Sequence, residues 1–173
     1  MNMFRLQQSR NSKKFMQGCA LRIPTLPRFE FFKKSGRSFL KQKDFSKTRR
    51  FFSDAHITYN WIDKPGTECA LLGIIRDIAV MHKNGLASSP HERPFAPWVV
   101  YRKPNRKFDR AIIDFGSIYF PHDPAEAARS FAGILLPLLL HTKGREFARK
   151  AVQKYLAINP VSGLQAAANH FLA

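Results

Sequence analysis

The distribution of apolar positions divides the chain into two parts. Residues 1 to 52 contain repeated clusters of basic and aromatic side chains with little aliphatic content, whereas long apolar stretches with helical spacing begin at Thr67. A segment so basic has too little to bury, and we expect it to be disordered in isolation. The pattern predicts a disordered basic extension over residues 1 to 52 and a single small α+β domain over residues 53 to 173.

The first element predicted in the domain is an amphipathic helix. Apolar side chains between Cys69 and Ala79 recur at the three- and four-residue spacing of one helical face. The pair Asn84-Gly85 is typical of a helix C-terminus. We therefore expect a core helix from about Thr67 to this pair, with Cys69 on its apolar face as a small hydrophobe.

A β-hairpin is predicted next, after a proline-rich loop. Residues 98 to 103 are rich in β-branched and aromatic side chains, and a turn at residues 104 to 107 separates them from a second strand candidate at residues 110 to 120. Residues 114 to 117 are also compatible with a turn. The sequence therefore leaves two arrangements open, a hairpin and a three-stranded meander.

The last third of the chain predicts three helices. The first spans residues 124 to 140, and Pro137 is expected to kink it or end it early. The second covers residues 145 to 157, and the third opens near Ser162. A helix, a hairpin and three C-terminal helices, preceded by a disordered basic tail, define the predicted fold class as α+β.

The charge balance narrows the chemical class of partner that the chain is expected to bind. The chain has 173 residues, with 29 Lys and Arg against 12 Asp and Glu, a formal charge of +17, and the first 52 residues contribute +12 of that. The apolar run at residues 131 to 140 is too short to span a bilayer, so no transmembrane segment is expected. A strongly basic chain of this kind suggests an acidic partner such as nucleic acid.

The basic extension has alternative interpretations. An Arg-rich, Ser-containing and acid-poor N-terminus is typical of a mitochondrial transit peptide. The stretch Arg49-Arg50-Phe51-Phe52-Ser53 resembles a mitochondrial processing-peptidase site, with cleavage between Phe52 and Ser53. The favoured location is mitochondrial. The alternatives are a retained nucleic-acid arm, as in a protein of the bacterial cytoplasm or of a mobile element, and a solvated tail without a partner.

The hairpin is the main candidate for nucleic-acid contact, because it combines cations with aromatic side chains. Its candidate residues are Tyr101, Arg102, Lys103, Arg106, Lys107, Phe108 and Arg110. A second phosphate-binding surface is expected on the helix that follows, from Arg145, Arg149, Lys150 and Lys154. Both sets also fit ordinary solvated positions.

Enzymatic interpretations have little support in the sequence. The six histidines show no metal-ligand spacing, and glycine-rich phosphate loops are missing, so neither a metal nor a cofactor is expected. The prediction is a non-catalytic protein that binds RNA or belongs to a ribonucleoprotein complex. The alternative is a protein-interaction or assembly factor that acts through its apolar C-terminal helices, with a membrane surface as one place of action.

Overall fold

The computed structural model describes the central and C-terminal parts of the chain and short stretches of the basic extension. The residues described are 30–34, 37–41, 51–52, 62, 64–88, 98–103, 105, 107–112, 118–119, 124–161 and 163–172. Within them the protein is a mixed α+β structure in which helices predominate.

Helix α1 (Glu68–Lys83) is the element predicted from the first apolar stretch. The Thr67 hydroxyl, just before the helix, donates to the carbonyl oxygens of Ile62 (3.0 Å) and Lys64 (2.7 Å), which fixes the preceding turn. The helix ends at Asn84. One expectation was wrong: Cys69 is exposed. It lies in the first turn of α1, whose buried face begins one residue later.

The described residues include seven strands. They are β1 (Glu30–Lys34), β2 (Arg37–Lys41), β3 (Phe51–Phe52), β4 (Ala87–Ser88), β5 (Trp98–Arg102), β6 (Phe108–Ile112) and β7 (Ile118–Tyr119). The predicted hairpin is confirmed, because β5 and β6 pair antiparallel from Trp98 opposite Ile112 to Arg102 opposite Phe108.

The three-stranded meander is not confirmed. Residues 118 and 119, where its third strand was expected, form β7, which pairs with β4. The second hairpin strand ends at Ile112 because β5 begins directly opposite, at Trp98. The third strand of the hairpin sheet is β3, so the strand order is β3-β5-β6.

Short strands interrupt the segment that was expected to be disordered. Strands β1 and β2 pair with each other, and β3 pairs with β5, with Phe51 opposite Tyr101 and Phe52 opposite Val100. The rest of the extension lies outside the described residues. The hairpin sheet therefore incorporates residues that the sequence assigned to the tail.

Helical structure dominates the C-terminal part. Helix α2 (Pro124–Ser130) leads through a π-helical turn (Phe131–Leu135) into α3 (Leu136–Leu156), and α4 (Leu164–Leu172) follows. Pro137 does not end the helix. It lies in the first turn of α3, where a missing N–H donor is tolerated, and directly after the widened π-helical turn. The break comes at Gly144, whose φ of 80° and ψ of 175° are not helical.

Helix α1 lies between the hairpin and α3. Its Gly73 and Asp77 face Arg110 of β6, whereas its Glu68 and His82 contact α3. At 100° per residue these two pairs point to nearly opposite sides of the helix, about 180° apart between Glu68 and Asp77. The core on both sides of α1 is made of apolar side chains such as Ile74, Ile75, Val100, Ile112, Leu136 and Tyr155.

Candidate nucleic-acid interface

The base of the hairpin is fixed to α1 by a buried ion pair. Arg110 donates from Nε to Oδ2 of Asp77 (2.9 Å) and from Nη2 to Oδ1 of the same carboxylate (3.1 Å). The side chains are only 12% and 1% exposed. A Cβ atom at Gly73 would lie 2.2 Å from the guanidinium, so glycine is needed where Arg110 crosses α1. Arg110 is thus held within the fold.

Asp109 organises the neighbouring side chains. It forms an ion pair with Lys103 and accepts hydrogen bonds from the Tyr101 hydroxyl (3.3 Å) and the Arg110 backbone N–H (2.9 Å). Burial opposes ionisation of Asp109, but the Lys103 ammonium and the backbone N–H outweigh it and lower the pKa of the carboxyl. Burial, together with the Asp109 charge, raises the pKa of Tyr101. Asp109 therefore supports the structure of the hairpin through three neighbouring groups.

The hairpin loop is closed by backbone hydrogen bonding and carries exposed cations. The Lys103 N–H donates to the Lys107 carbonyl (2.8 Å), and the Lys107 N–H donates to Oδ1 of Asn105 (3.1 Å). Arg102, Lys103 and Lys107 are all exposed. Arg106, also a candidate from the sequence, lies outside the described residues. The loop end of the hairpin therefore presents positive charge.

Both candidate aromatic residues are half-buried and engaged. The Arg102 guanidinium lies 5.2 Å from the centroid of the Phe108 ring, a cation–π contact. The same Phe108 ring also approaches the turn before α1. A Cβ atom added at Gly66 would lie 3.7 Å from the ring. The Tyr101 hydroxyl donates to Asp109. These rings support the hairpin end, and the exposed groups there are mainly cationic.

The second candidate surface lies on α3 after its break. Arg145, Arg149, Lys150 and Lys154 are exposed, whereas Phe147, Ala148 and Ala151 on the opposite side are buried. Lys150 pairs with Glu146 one turn earlier, at 2.6 Å. The sequence placed these cations on an outer helical face, and the burial pattern agrees with that placement.

The hairpin and α3 both contact the turn before α1, a relationship that the sequence did not show. The turn before α1 touches the hairpin through Gly66 and Phe108. The same turn touches α3, because the Lys143 Nζ donates to the Lys64 carbonyl (3.3 Å) and to Glu68 Oε1 (3.0 Å). Isolated lysines carry no sequence signal, so sequence reasoning missed both Lys64 and Lys143.

A cluster of polar and aromatic side chains around His82 and Tyr155 lies at the other end of α1. His82 Nδ1 is 2.7 Å from the Tyr155 hydroxyl, which also accepts a hydrogen bond from Asn159 Nδ2 (3.0 Å), and Phe131 stacks on the Tyr155 ring at 4.3 Å. Burial lowers the pKa of His82 to about 4 and raises the pKa of Tyr155 to about 12. The imidazole is therefore neutral at neutral pH, and the cluster joins α1 to α3.

Three further features considered from the sequence are a metal site, a membrane-spanning helix and the processing site. Among the described residues, no group of three or more His, Cys, Asp or Glu is arranged to hold a metal ion. In the same part of the chain, no helix has the length and apolar character required to cross a bilayer. Of the expected processing site, Phe52 belongs to β3, whereas Ser53 lies outside the described residues.

The chain matches no protein-family model and no curated protein. The class that the structure defines is a mixed α+β protein with mainly helical content.

Proposed function

We propose that the protein binds RNA without catalysis, with the loop end of the β5–β6 hairpin as its main contact. The observation that carries the proposal is the position of Arg102, Lys103 and Lys107, exposed at the end of a hairpin whose base is fixed by the Arg110–Asp77 ion pair. Cations held in place lose less conformational entropy when they meet a phosphate than cations on a mobile segment do. Such a hairpin is suited to contact a nucleic-acid backbone.

We infer different roles for the individual candidate residues. Arg110 is used to anchor the hairpin, and Asp109 offsets part of the Lys103 charge. Tyr101 and Phe108 support the loop end. Direct phosphate contact is therefore assigned mainly to Arg102 and Lys107, with Arg106 retained on the basis of sequence.

The α3 face supplies a second set of phosphate contacts in this proposal. Arg145, Arg149 and Lys154 are exposed, and Lys150 shares its charge with Glu146. Exposed basic positions are common on helices, so these residues support the proposal less strongly than the hairpin does. We assign them a secondary, sequence-independent contribution.

A mitochondrial location, in a ribonucleoprotein complex, stays part of the proposal, and the location depends on residues 1 to 52. Its support is their basic, acid-poor composition and the resemblance of residues 49 to 53 to a processing site. The retained nucleic-acid arm of a bacterial or mobile-element protein is the alternative. N-terminal sequencing of the protein from its native cells separates them, because processing predicts a chain that begins at or near Ser53.

The competing function, protein interaction through the apolar C-terminal helices, has less support. Most of the described side chains of the apolar run, including Phe131, Leu135, Leu136 and Leu139, are buried in the core. Burying them against a partner would require the core to open, at a cost of roughly 25 cal/mol for each Å² of apolar surface exposed. No other observation favours this function.

The test is RNA binding by the full chain, measured by fluorescence anisotropy with a labelled single strand of about 16 nucleotides, in line with the site sizes of single-strand binders. The variant Arg102→Ala/Lys107→Ala is compared with Arg76→Ala/Lys83→Ala, which removes two exposed cations from α1 itself. We expect the hairpin variant to bind about 10-fold more weakly or worse, and the slope of log K against log salt to flatten by about 1.4.

The control variant is expected to bind almost as the unmodified chain does, because Arg76 and Lys83 lie away from the hairpin loop. Equal losses in the two variants would show that affinity follows net charge alone. That result, or an absence of RNA binding by the unmodified chain, would contradict the proposed role of the hairpin.

A further inference from the structure

The turn at residues 64 to 66 connects the hairpin to α3. On one side, the Phe108 ring contacts the position of Gly66, which has a φ of +83°. On the other side, the Lys64 carbonyl accepts a hydrogen bond from Lys143. The Cα atoms of Lys64 and Gly66 are at most about 7 Å apart, so the Phe108 ring and the Lys143 ammonium lie within about 18 Å of each other.

The direction of the elements brings their cationic ends together. Strand β6 runs along α1 in the same direction, since Phe108 contacts Gly66 and Arg110 contacts Asp77 further along. Helix α3 also runs parallel to α1 after its break, because Lys143 meets Glu68 and Tyr155 meets His82. The hairpin loop and the first residues after the break therefore lie at the N-terminal end of α1.

The break at Gly144 separates the roles of the residues on either side of it. Lys143, before the break, is only 9% exposed and binds Glu68, whereas Arg145, after it, is exposed. The backbone at Gly144 has φ 80° and ψ 175°, a combination almost restricted to glycine. Lys143 thus ties α3 to the turn, and Arg145 faces solvent close to the same turn.

We propose that this end of the molecule is one continuous surface for a phosphodiester backbone, and we name it the α1-end surface. Its cations are Arg102, Lys103, Lys107, Lys64, Lys143 and Arg145. Asp109 and Glu68 offset the charges of Lys103 and Lys143, respectively. The inference rests on the proposed function and deepens it, because it makes a single RNA strand touch the hairpin, the turn and α3 together.

A nucleic-acid backbone fits the α1-end surface better than a membrane does. Surfaces that bind anionic bilayers combine cations with apolar side chains that enter the lipid. Among the described residues of the hairpin end, the aromatic side chains Tyr101 and Phe108 are both half-buried, and Phe108 lies between Arg102 and Gly66. Phosphate contacts need only charge and hydrogen-bond donors, so we expect binding with little dependence on base sequence.

The experiment compares three double variants of the full chain. The hairpin variant is Arg102→Gln/Lys107→Gln, the turn variant is Lys64→Gln/Arg145→Gln, and the control is Arg76→Gln/Lys83→Gln. Each loses two exposed cations. The probe is a labelled, mixed-sequence RNA strand of about 16 nucleotides, and its affinity is measured from about 50 to 200 mM salt.

A single continuous surface predicts that the hairpin and turn variants each lose about 10-fold in affinity and that each flattens the salt slope by about 1.4, relative to the control. The variant Arg145→Lys should retain the affinity, because it keeps the charge. Circular dichroism and thermal unfolding of every variant establish that the fold is intact.

The failures of the two proposals are distinguishable. A loss of affinity in the hairpin variant alone would overturn the continuous surface and leave the proposed function standing. Affinity unchanged in both variants would overturn both proposals. A third outcome is that the unmodified chain binds phosphatidylserine-containing vesicles more strongly than RNA and that the same variants lose this binding. That result would replace the nucleic acid with a membrane and overturn the inference.

Discussion

Arg110 and Asp77, separated by 33 positions in sequence, form a two-point hydrogen-bonded ion pair at the junction of β6 and α1. The pair is almost fully buried, and Asp109 lies 3.6 Å from the remaining guanidinium nitrogen. Because the base of the hairpin is held in this way, the orientation of the exposed loop relative to the helical part is fixed. The pair therefore connects the stability of the fold to the surface proposed for RNA.

Removal of one partner of this pair should be costly. Asp77→Ala leaves the Arg110 guanidinium in a largely buried position with Asp109 as a more distant acid, and we expect a loss of about 3 kcal/mol in the free energy of unfolding. Asp77→Leu/Arg110→Met should recover most of that loss, since it removes both charges. Urea denaturation measures both variants. Equal stability of Asp77→Ala and the unmodified chain would show that the ion pair contributes nothing.

A side chain at position 73 is expected to destabilise the fold. A Cβ atom there would lie 2.2 Å from the Arg110 guanidinium, so Gly73→Ala should displace Arg110 and cost about 2 kcal/mol, despite the better helix propensity of alanine. Gly133→Ala is the matched control, because nothing lies within 4 Å of a Cβ atom at that position. An unfolding temperature of Gly73→Ala equal to or higher than that of Gly133→Ala would contradict the close approach of Arg110.

Stability should depend on the protonation of His82. Burial lowers its pKa to about 4 in the folded protein, from 6.5 in the unfolded chain, so the unfolded state binds more protons between these values. The stabilisation is complete above pH 6.5 and is lost as the pH falls towards 4. Between pH 7.5 and 5 we expect the free energy of unfolding to fall by about 2 kcal/mol.

The variant His82→Gln tests this assignment, because it keeps a polar partner for Tyr155 and removes the titration. The window above pH 5 also avoids most of the effect of Glu68 and Asp109, whose pKa values are lowered. Urea denaturation at several pH values should give a flatter dependence for the variant. Parallel curves for the two proteins would assign the pH dependence to other groups.

The pairing of β3 with β5 has a consequence for the expected processing site. Cleavage after Phe52 would remove β3 and leave one edge of β5 without this partner. A chain of residues 53 to 173 should therefore unfold at a lower temperature than the full chain and associate more readily, as unpaired strand edges do. Thermal unfolding and size-exclusion chromatography compare the two chains. Identical behaviour would show that β3 makes no contribution to the domain.

The sequence predicts local elements well where periodicity or turn chemistry determines them. Helix α1 follows from its repeating apolar positions, and the hairpin follows from two strand-forming runs around a turn. Strand β3 was missed because two phenylalanines inside a basic segment provide no strand periodicity. Its pairing depends on β5, which lies 46 or more positions later in the chain.

Long-range partners explain the other differences. Arg110 looked like one more cation of the hairpin, because its acid partner lies on α1 and only the tertiary structure brings them together. Pro137 was expected to disrupt the helix, but its position after a π-helical turn in the first turn of α3 accommodates it. The break instead occurs at Gly144, where the backbone adopts a positive φ that glycine permits.

The most direct test of RNA binding is the salt dependence of affinity for the unmodified full chain. If Arg102, Lys107 and at least one further cation neutralise phosphates of a single RNA strand, log K should fall linearly with log salt, with a slope of about −2 or steeper. A slope near zero, or no detectable binding at about 50 mM salt, would contradict the account, because phosphate contact always releases counterions.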